Sequence, residues 1–152
     1  MAYHRGLRAS EAGLLQLGQL RLAQRRLYVT RLKGGRSADF PLTDREVKAL
    51  RAWLRVRGDQ PGPLFLSRNR KRISRSRLDQ LMKRYAAAAG LPAAKQHFHC
   101  LRHSCATSLV ERDVDLLLIQ DHLGHQDIRN TERYAKVSER KRREMGERLR
   151  QW

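Results

Sequence analysis

The sequence predicts a mainly helical single domain that carries a small three-stranded antiparallel β-sheet. Three features predict it. Apolar residues recur at helical spacing through most of the chain, an alternating stretch interrupts them once between Gln19 and Leu42, and no low-complexity linker divides the 152 residues. A chain of this length is one domain by size, and its 40% hydrophobic residues suffice for one core.

The elements follow in order. Leu7, Glu11, Leu14 and Leu15 keep the 3.6-residue period with no N-cap before them, so the chain is expected to open inside the helix bearing Arg8. Leu20 and Leu22, then Leu27, Val29 and Arg31, alternate, and Phe40-Pro41-Leu42 follows Lys33-Gly34-Gly35-Arg36. This reads as the sheet, with its second hairpin turning at Gly34-Gly35. Thr43-Asp44-Arg45-Glu46 fits a capping box and opens a helix with Val47, Leu50, Trp53 and Leu54 on one stripe. The run from Gly58 to Pro63 stops that helix, Leu64-Phe65-Leu66 is short and apolar, and a basic loop spans Ser67 to Arg77. A further helix runs from about Ser76 to Ala89, ended by Gly90 with Pro92 beyond. The remainder reads as helices over about His99–Glu111 and Val114–Leu123 (stopped by Gly124), a shorter one including Tyr134, and a charged one from about Ser138.

Charge narrows the function. Lys plus Arg is 33 against 15 Asp plus Glu, a formal net charge of +18, and only seven of the 33 are Lys. Arg grips phosphate with a planar fork where Lys offers a point charge, so an Arg-rich excess points to a nucleic-acid partner. Six basic residues in the loop, Arg68, Arg70, Lys71, Arg72, Arg75 and Arg77, stand among eleven positions with no acid and are candidate DNA contacts. Apolar runs of four or five residues are far too short to span a bilayer, which takes roughly 18. No apolar signal segment follows Met1, and Cys100 and Cys105 make no disulfide framework, so a cytosolic chain is expected. Membrane, secreted and disordered-tail classes fit poorly. His97, His99, Cys100, His103 and Cys105 match no zinc-finger spacing, and no metal or other cofactor is expected.

Four short pieces carry chemistry. His99 and Arg102 stand at i, i+3 on one face near a helix start, where backbone N–H groups add positive potential for a phosphate. His125 follows the helix-ending Gly124, and Tyr134 comes nine residues later. Within Gly6-Leu7-Arg8-Ala9-Ser10-Glu11, Glu11 lies where it can hold the Arg8 guanidinium. Lys33, beside two glycines, projects an ammonium from a flexible turn.

Together and in this order, the pieces resemble the tyrosine recombinase (phage integrase) family. Its G-L-R-x-S-E motif stands here as Gly6 to Glu11, its hairpin Lys as Lys33, its H-x-L-R-H-S as His99 to Ser104, its L-G-H as Leu123 to His125, and its nucleophile as Tyr134, with Thr131 at the Thr ahead of it. Arg31-Leu32-Lys33-Gly34-Gly35 and Leu118 to His125 are similar to the short invertases of the fimbrial-switch type. The resemblance covers nearly the whole chain. It implies a catalytic domain of that family spanning 1–152, N-terminally truncated, without the domain's first helices or the N-terminal core-binding domain.

The resemblance also implies a chemistry. Tyr134 attacks the scissile phosphate to leave a 3′-phosphotyrosyl link, Arg8 and Arg102 bind the non-bridging oxygens, and Glu11 supports Arg8. His99 takes or shares the tyrosine's proton, His125 hydrogen-bonds a phosphate oxygen, and Lys33 protonates the 5′ leaving oxygen. A tyrosine of pKa about 10 needs such surroundings to attack near neutrality. The implied partner is double-stranded DNA, bound as a tetramer on paired sites by a chain monomeric off DNA, in a bacterial or phage-infected cytoplasm. Arg8, His99, Arg102 and His125 are expected to line one positive pocket, with Lys33 at a mobile tip and Tyr134 held back. The rival classes are an inactive integrase remnant or DNA-binding regulator, a basic RNA-binding protein and a type IB topoisomerase.

Overall fold

Leu27 and Val29 point inward and Arg26 and Tyr28 outward along one strand, as period-two alternation requires of a sheet with one solvated face. In the computed structural model, which describes residues 1–32, 34–132, 134 and 145–150, this strand is the centre of the sheet. β1 (Leu20–Arg21) and β3 (Ala38–Pro41) flank β2 (Arg26–Val29), both antiparallel, with Leu20 and Phe40 opposite Leu27. The chain turns at Gly34-Gly35 as expected, with Gly34 at φ +68° and the Gly35 N–H donating to the Leu32 carbonyl (3.5 Å), but the β2–β3 ladder already ends at Val29 and Ala38, so the connection is longer than a tight hairpin. The reason lies at Arg31. Its N–H donates to Ser37 Oγ (3.1 Å) and its side chain turns into the protein, which takes it out of the ladder.

The chain does not open inside a helix. Residues 2–6 form turns, Gly6 sits at φ +52°, and Arg8 is the extended N-cap of α1 (Ala9–Leu14). Glu11 Oε2 accepts the Arg8 N–H at 2.8 Å, the cap that begins the helix. α2 (Asp44–Arg57) has the predicted box: Thr43 N–H donates to Glu46 and Glu46 N–H to Thr43 Oγ1. It ends at Gly58, φ +83°. α3 (Arg75–Ala88) is capped by Ser74, and α4 spans His99–Glu111 as expected. α5 (Leu116–Leu123) starts two residues later than its apolar pattern, because the Asp115 carboxylate accepts from Leu117 and Leu118 N–H. α6 (Arg129–Glu132) stops before Tyr134, which follows it in a turn rather than within a helix. Lys33 and most of the expected charged helix, from Ser138 to residue 144 and including Arg140-Lys141-Arg142-Arg143, lie outside the described residues.

Two apolar clusters result. One joins Leu7, Leu15, Leu27, Val29, Val47, Leu50, Leu64 and Phe98, and the other joins Cys105, Ala106, Val110, Ile119, Leu123 and Tyr134. Much of the arginine excess serves this interior. Arg5, Arg31, Arg57 and Arg102 are all buried, so part of the charge that composition assigns to a nucleic-acid surface is structural. Arg57 donates to the carbonyls of Gly58, Gln60 and Pro63 and holds the turn after α2.

Arg5 pairs with Glu46 at 2.7 and 3.0 Å and also reaches the Pro41 carbonyl, which ties the first residues to the start of α2. Burial by itself would raise the Glu46 carboxyl, but Arg5, the Met1 amino group, the Thr43 N–H and His4 together hold it well below the usual range. A carboxylate whose pKa is depressed on folding contributes stability above its unfolded pKa of about 4.3, and that stability is lost as pH falls below it. Thermal melts are therefore expected to show an acid-side loss of stability below about pH 4 that is smaller in Glu46→Gln. Equal acid sensitivity in the two proteins would show that Glu46 does not carry it.

Candidate active site

Arg8, His99, Arg102, His125 and Tyr134 line one pocket of about 310 Å³, completed by Gln126, Asp127 and Asn130. The four residues expected to converge do so. Tyr134 is there too, against the expectation that it is held back. Its ring packs in the second apolar cluster and is 6% exposed, which fixes it at the pocket wall.

Each side chain is placed by identifiable neighbours. The Glu11 carboxylate, itself buried, accepts from Arg8 Nη1 (2.7 Å), the Arg8 N–H, Arg31 Nη1 (3.1 Å) and the Leu32 N–H. Burial would raise its pKa, but these donors and the Arg31 charge lower it, so Glu11 stays ionised and holds the Arg8 guanidinium by the pocket. Arg31, which the sequence places at the inward end of the Leu27–Val29 alternation, is one of these donors. It also donates to the carbonyls of Arg5 (2.7 Å) and His122, so one buried side chain links the Arg8 support to the turn before His125. That turn is Gly124 at φ +65°, where a Cβ would stand 3.0 Å from Arg31 Cγ. His125 Nδ1 lies 2.9 Å from the hydroxyl of the fully buried Thr131, which orients its ring.

Arg102 is 1% exposed and projects from α4 to donate to the Gly6 carbonyl at 2.7 Å. Its Nη2 is buried and donates to nothing among the described residues. Burial first, then the Arg8 charge, pushes its pKa down to about 10. Such a cation, one turn into a helix and beside a second guanidinium, is stabilised by an anion in the pocket. The acid among the lining residues does not supply that anion: the Asp127 carboxylate is taken by the N–H and Nε of Arg129, at 2.9 and 2.8 Å.

Sequence reasoning missed one contact entirely. The Tyr134 hydroxyl lies 2.8 Å from His103 Nδ1, and the His103 ring meets His99 edge to face at 4.5 Å between centroids. His99 and His103 are i, i+4 on α4, a spacing visible in the sequence.

The six candidate DNA-contact residues are all exposed. Arg70, at φ +54°, uses its guanidinium to hold the loop through the Arg57 carbonyl at 2.9 Å, and Arg77 donates to Gln80 at 3.2 Å. Among the described residues no helix is long and apolar enough to cross a membrane.

A three-stranded sheet among helices, with two guanidinium groups, two imidazoles and a tyrosine around one anion-sized pocket, defines a tyrosine recombinase catalytic domain. The chain belongs to the phage integrase family, whose model matches residues 1–141. It is 38% identical over 139 residues to the type 1 fimbriae regulatory protein FimB of Escherichia coli (strain K12), covering 89% of this chain and 69% of the relative. It is also 38% identical to tyrosine recombinase XerC of Alcanivorax borkumensis over 140 residues, 89% of this chain and 45% of the relative. Among solved structures, the XerA recombinase superposes with a TM-score of 0.78 at 28% identity, covering 98% of this chain and 56% of that one. The XerH recombinase bound to its difH substrate superposes at 0.75 with 26% identity, covering 88% and 40%.

Proposed function

We propose that this protein cuts and rejoins double-stranded DNA at specific sites through a 3′-phosphotyrosyl link on Tyr134, without a metal. The observation that carries this reading is the buried Nη2 of Arg102, which has no acceptor among the described residues, in a pocket shared with Arg8, His125 and a tyrosine hydroxyl. A scissile phosphate fits those groups. Arg8 and Arg102 bind its non-bridging oxygens, and His125 donates from Nε2 while its Nδ1 faces Thr131. These cations stabilise the charge of the pentacoordinate transition state, the work done elsewhere by a metal ion. Lys33 protonates the departing 5′ oxygen. Because the bond energy is kept in the phosphotyrosine, another strand's 5′ hydroxyl reseals the link. The loop from Arg68 to Arg77 contacts flanking phosphates, and paired sites are exchanged by a tetramer assembled on DNA. XerH, solved on its substrate, supports DNA as the partner. The protein acts in a bacterial or phage-infected cytoplasm, where that DNA is found.

The test uses a library of nicked duplexes randomised around the nick. Denaturing gels should reveal covalent protein–DNA complexes, and peptide mapping should put the DNA on Tyr134. Attachment at another residue, or none to duplexes that the protein binds, overturns the reading.

A further inference from the structure

We propose that His103 is a catalytic residue of this site, the group that takes the proton from the Tyr134 hydroxyl as it attacks. The inference rests on the phosphotyrosyl reading above and reassigns within it the proton that the family resemblance gives to His99. The geometry separates the two imidazoles. His103 Nδ1 is 2.8 Å from the Tyr134 oxygen, within the range in which a base must stand to accept a proton. His99, one turn earlier and more exposed, touches the edge of the His103 ring and lines the pocket.

With Nε2 protonated and Nδ1 accepting, neutral His103 is the tautomer that receives the phenol hydrogen. In the forward step the Tyr134 Oη–H bond breaks and its proton passes to Nδ1. The Oη–P bond forms, the P–O5′ bond breaks, and the 5′ oxygen leaves with a proton from Lys33. In resealing, the 5′ hydroxyl returns its proton to Lys33, attacks phosphorus and expels the phenolate, which recovers its proton from the His103 imidazolium. Among the described residues, the titratable and charged groups that face this pair include His99 on the same helix and Arg102, whose charge acts on the tyrosine. The Arg102 charge and a phosphate-binding pocket favour the phenolate once formed, while His103 gives the proton a place to go.

His103→Asn separates basicity from positioning, since its amide oxygen can still accept from the hydroxyl near the place of Nδ1 but cannot take the proton. Single-turnover attachment to a captured duplex is measured from about pH 6 to about pH 10 for wild type, His103→Asn, His103→Gln and His99→Asn, with thermal melts to establish folding. Near neutrality the His103 variants should be slower by about 10²–10⁴-fold. Their deficit should shrink toward about pH 10, where the phenol ionises unaided, and that of His99→Asn should not. A His103 deficit that stays constant with pH, or none at all, overturns the assignment while leaving the phosphotyrosyl reading intact. No Tyr134 adduct in wild type overturns both.

Discussion

Replacing Arg102 by Ala is expected to slow covalent attachment to DNA by about 10²–10³-fold at saturating DNA, the loss seen when one preorganised donor to a transition-state charge is removed. The expectation follows from how this guanidinium is kept. Buried, with its pKa pushed down to about 10, it remains charged throughout the neutral range; among the described residues no carboxylate pairs with it and one of its nitrogens has no acceptor. In the proposed reaction the pentacoordinate, dianion-like phosphate would supply that acceptor and the countercharge together. Arg102→Lys keeps the charge but loses the fork, and should fall between wild type and Ala. Stability should move little by comparison. The substitution removes a buried charge, which favours folding, and strips the Gly6 carbonyl of its donor, which opposes it. Single-turnover rates beside thermal melts separate the two effects. A Lys variant as fast as wild type would mean that Arg102 supplies charge at a distance and no directed hydrogen bonds.

How far this site could be read from the chain depends on whether its contacts are local. The Arg8–Glu11 pair is three residues long and was visible as such. α4 and its His99–Arg102 face were equally plain, because period and composition agree there. The start of the chain misled, since Leu7, Leu14 and Leu15 keep a helical period although Leu7 lies before the extended Arg8, where the helix begins. Arg31 was legible in part: it falls on the inward side of the Leu27–Val29 alternation. In a chain with so many arginines, however, nothing marks one as buried until Glu11 and the His122 carbonyl are brought to it from either end. The same is true of Tyr134. Its spacing from His125 identified it, but its contact with His103, 31 positions earlier, exists only once α4 and α6 are packed around α5. Net charge was the coarsest guide, because among the described residues four of the arginines it counts are inside.

Glu11 is the position where stability and activity should fall together, and by most. Its carboxylate answers two guanidinium groups, one of them wholly buried, and two backbone N–H groups. Glu11→Ala leaves the Arg31 charge buried beside those of Arg8 and Arg102 with no countercharge, and breaking a buried pair in this way costs about 3–5 kcal/mol. Against a typical total of about 5–15 kcal/mol, that is enough to lower the melting temperature steeply. The double variant Glu11→Ala/Arg31→Met removes the stranded charge and fills its space with an apolar chain. It should therefore be more stable than Glu11→Ala alone, although the Arg5 and His122 carbonyls lose their donor and recovery stays incomplete. Attachment to DNA should not recover with it, because Arg8 still lacks the carboxylate that holds it at the pocket. Denaturant unfolding of the wild type, both single variants and the double variant measures the coupling, and attachment rates read the position of Arg8. If the double variant is no more stable than Glu11→Ala, the stranded Arg31 charge is not the source of the loss, and packing around α1 must account for it.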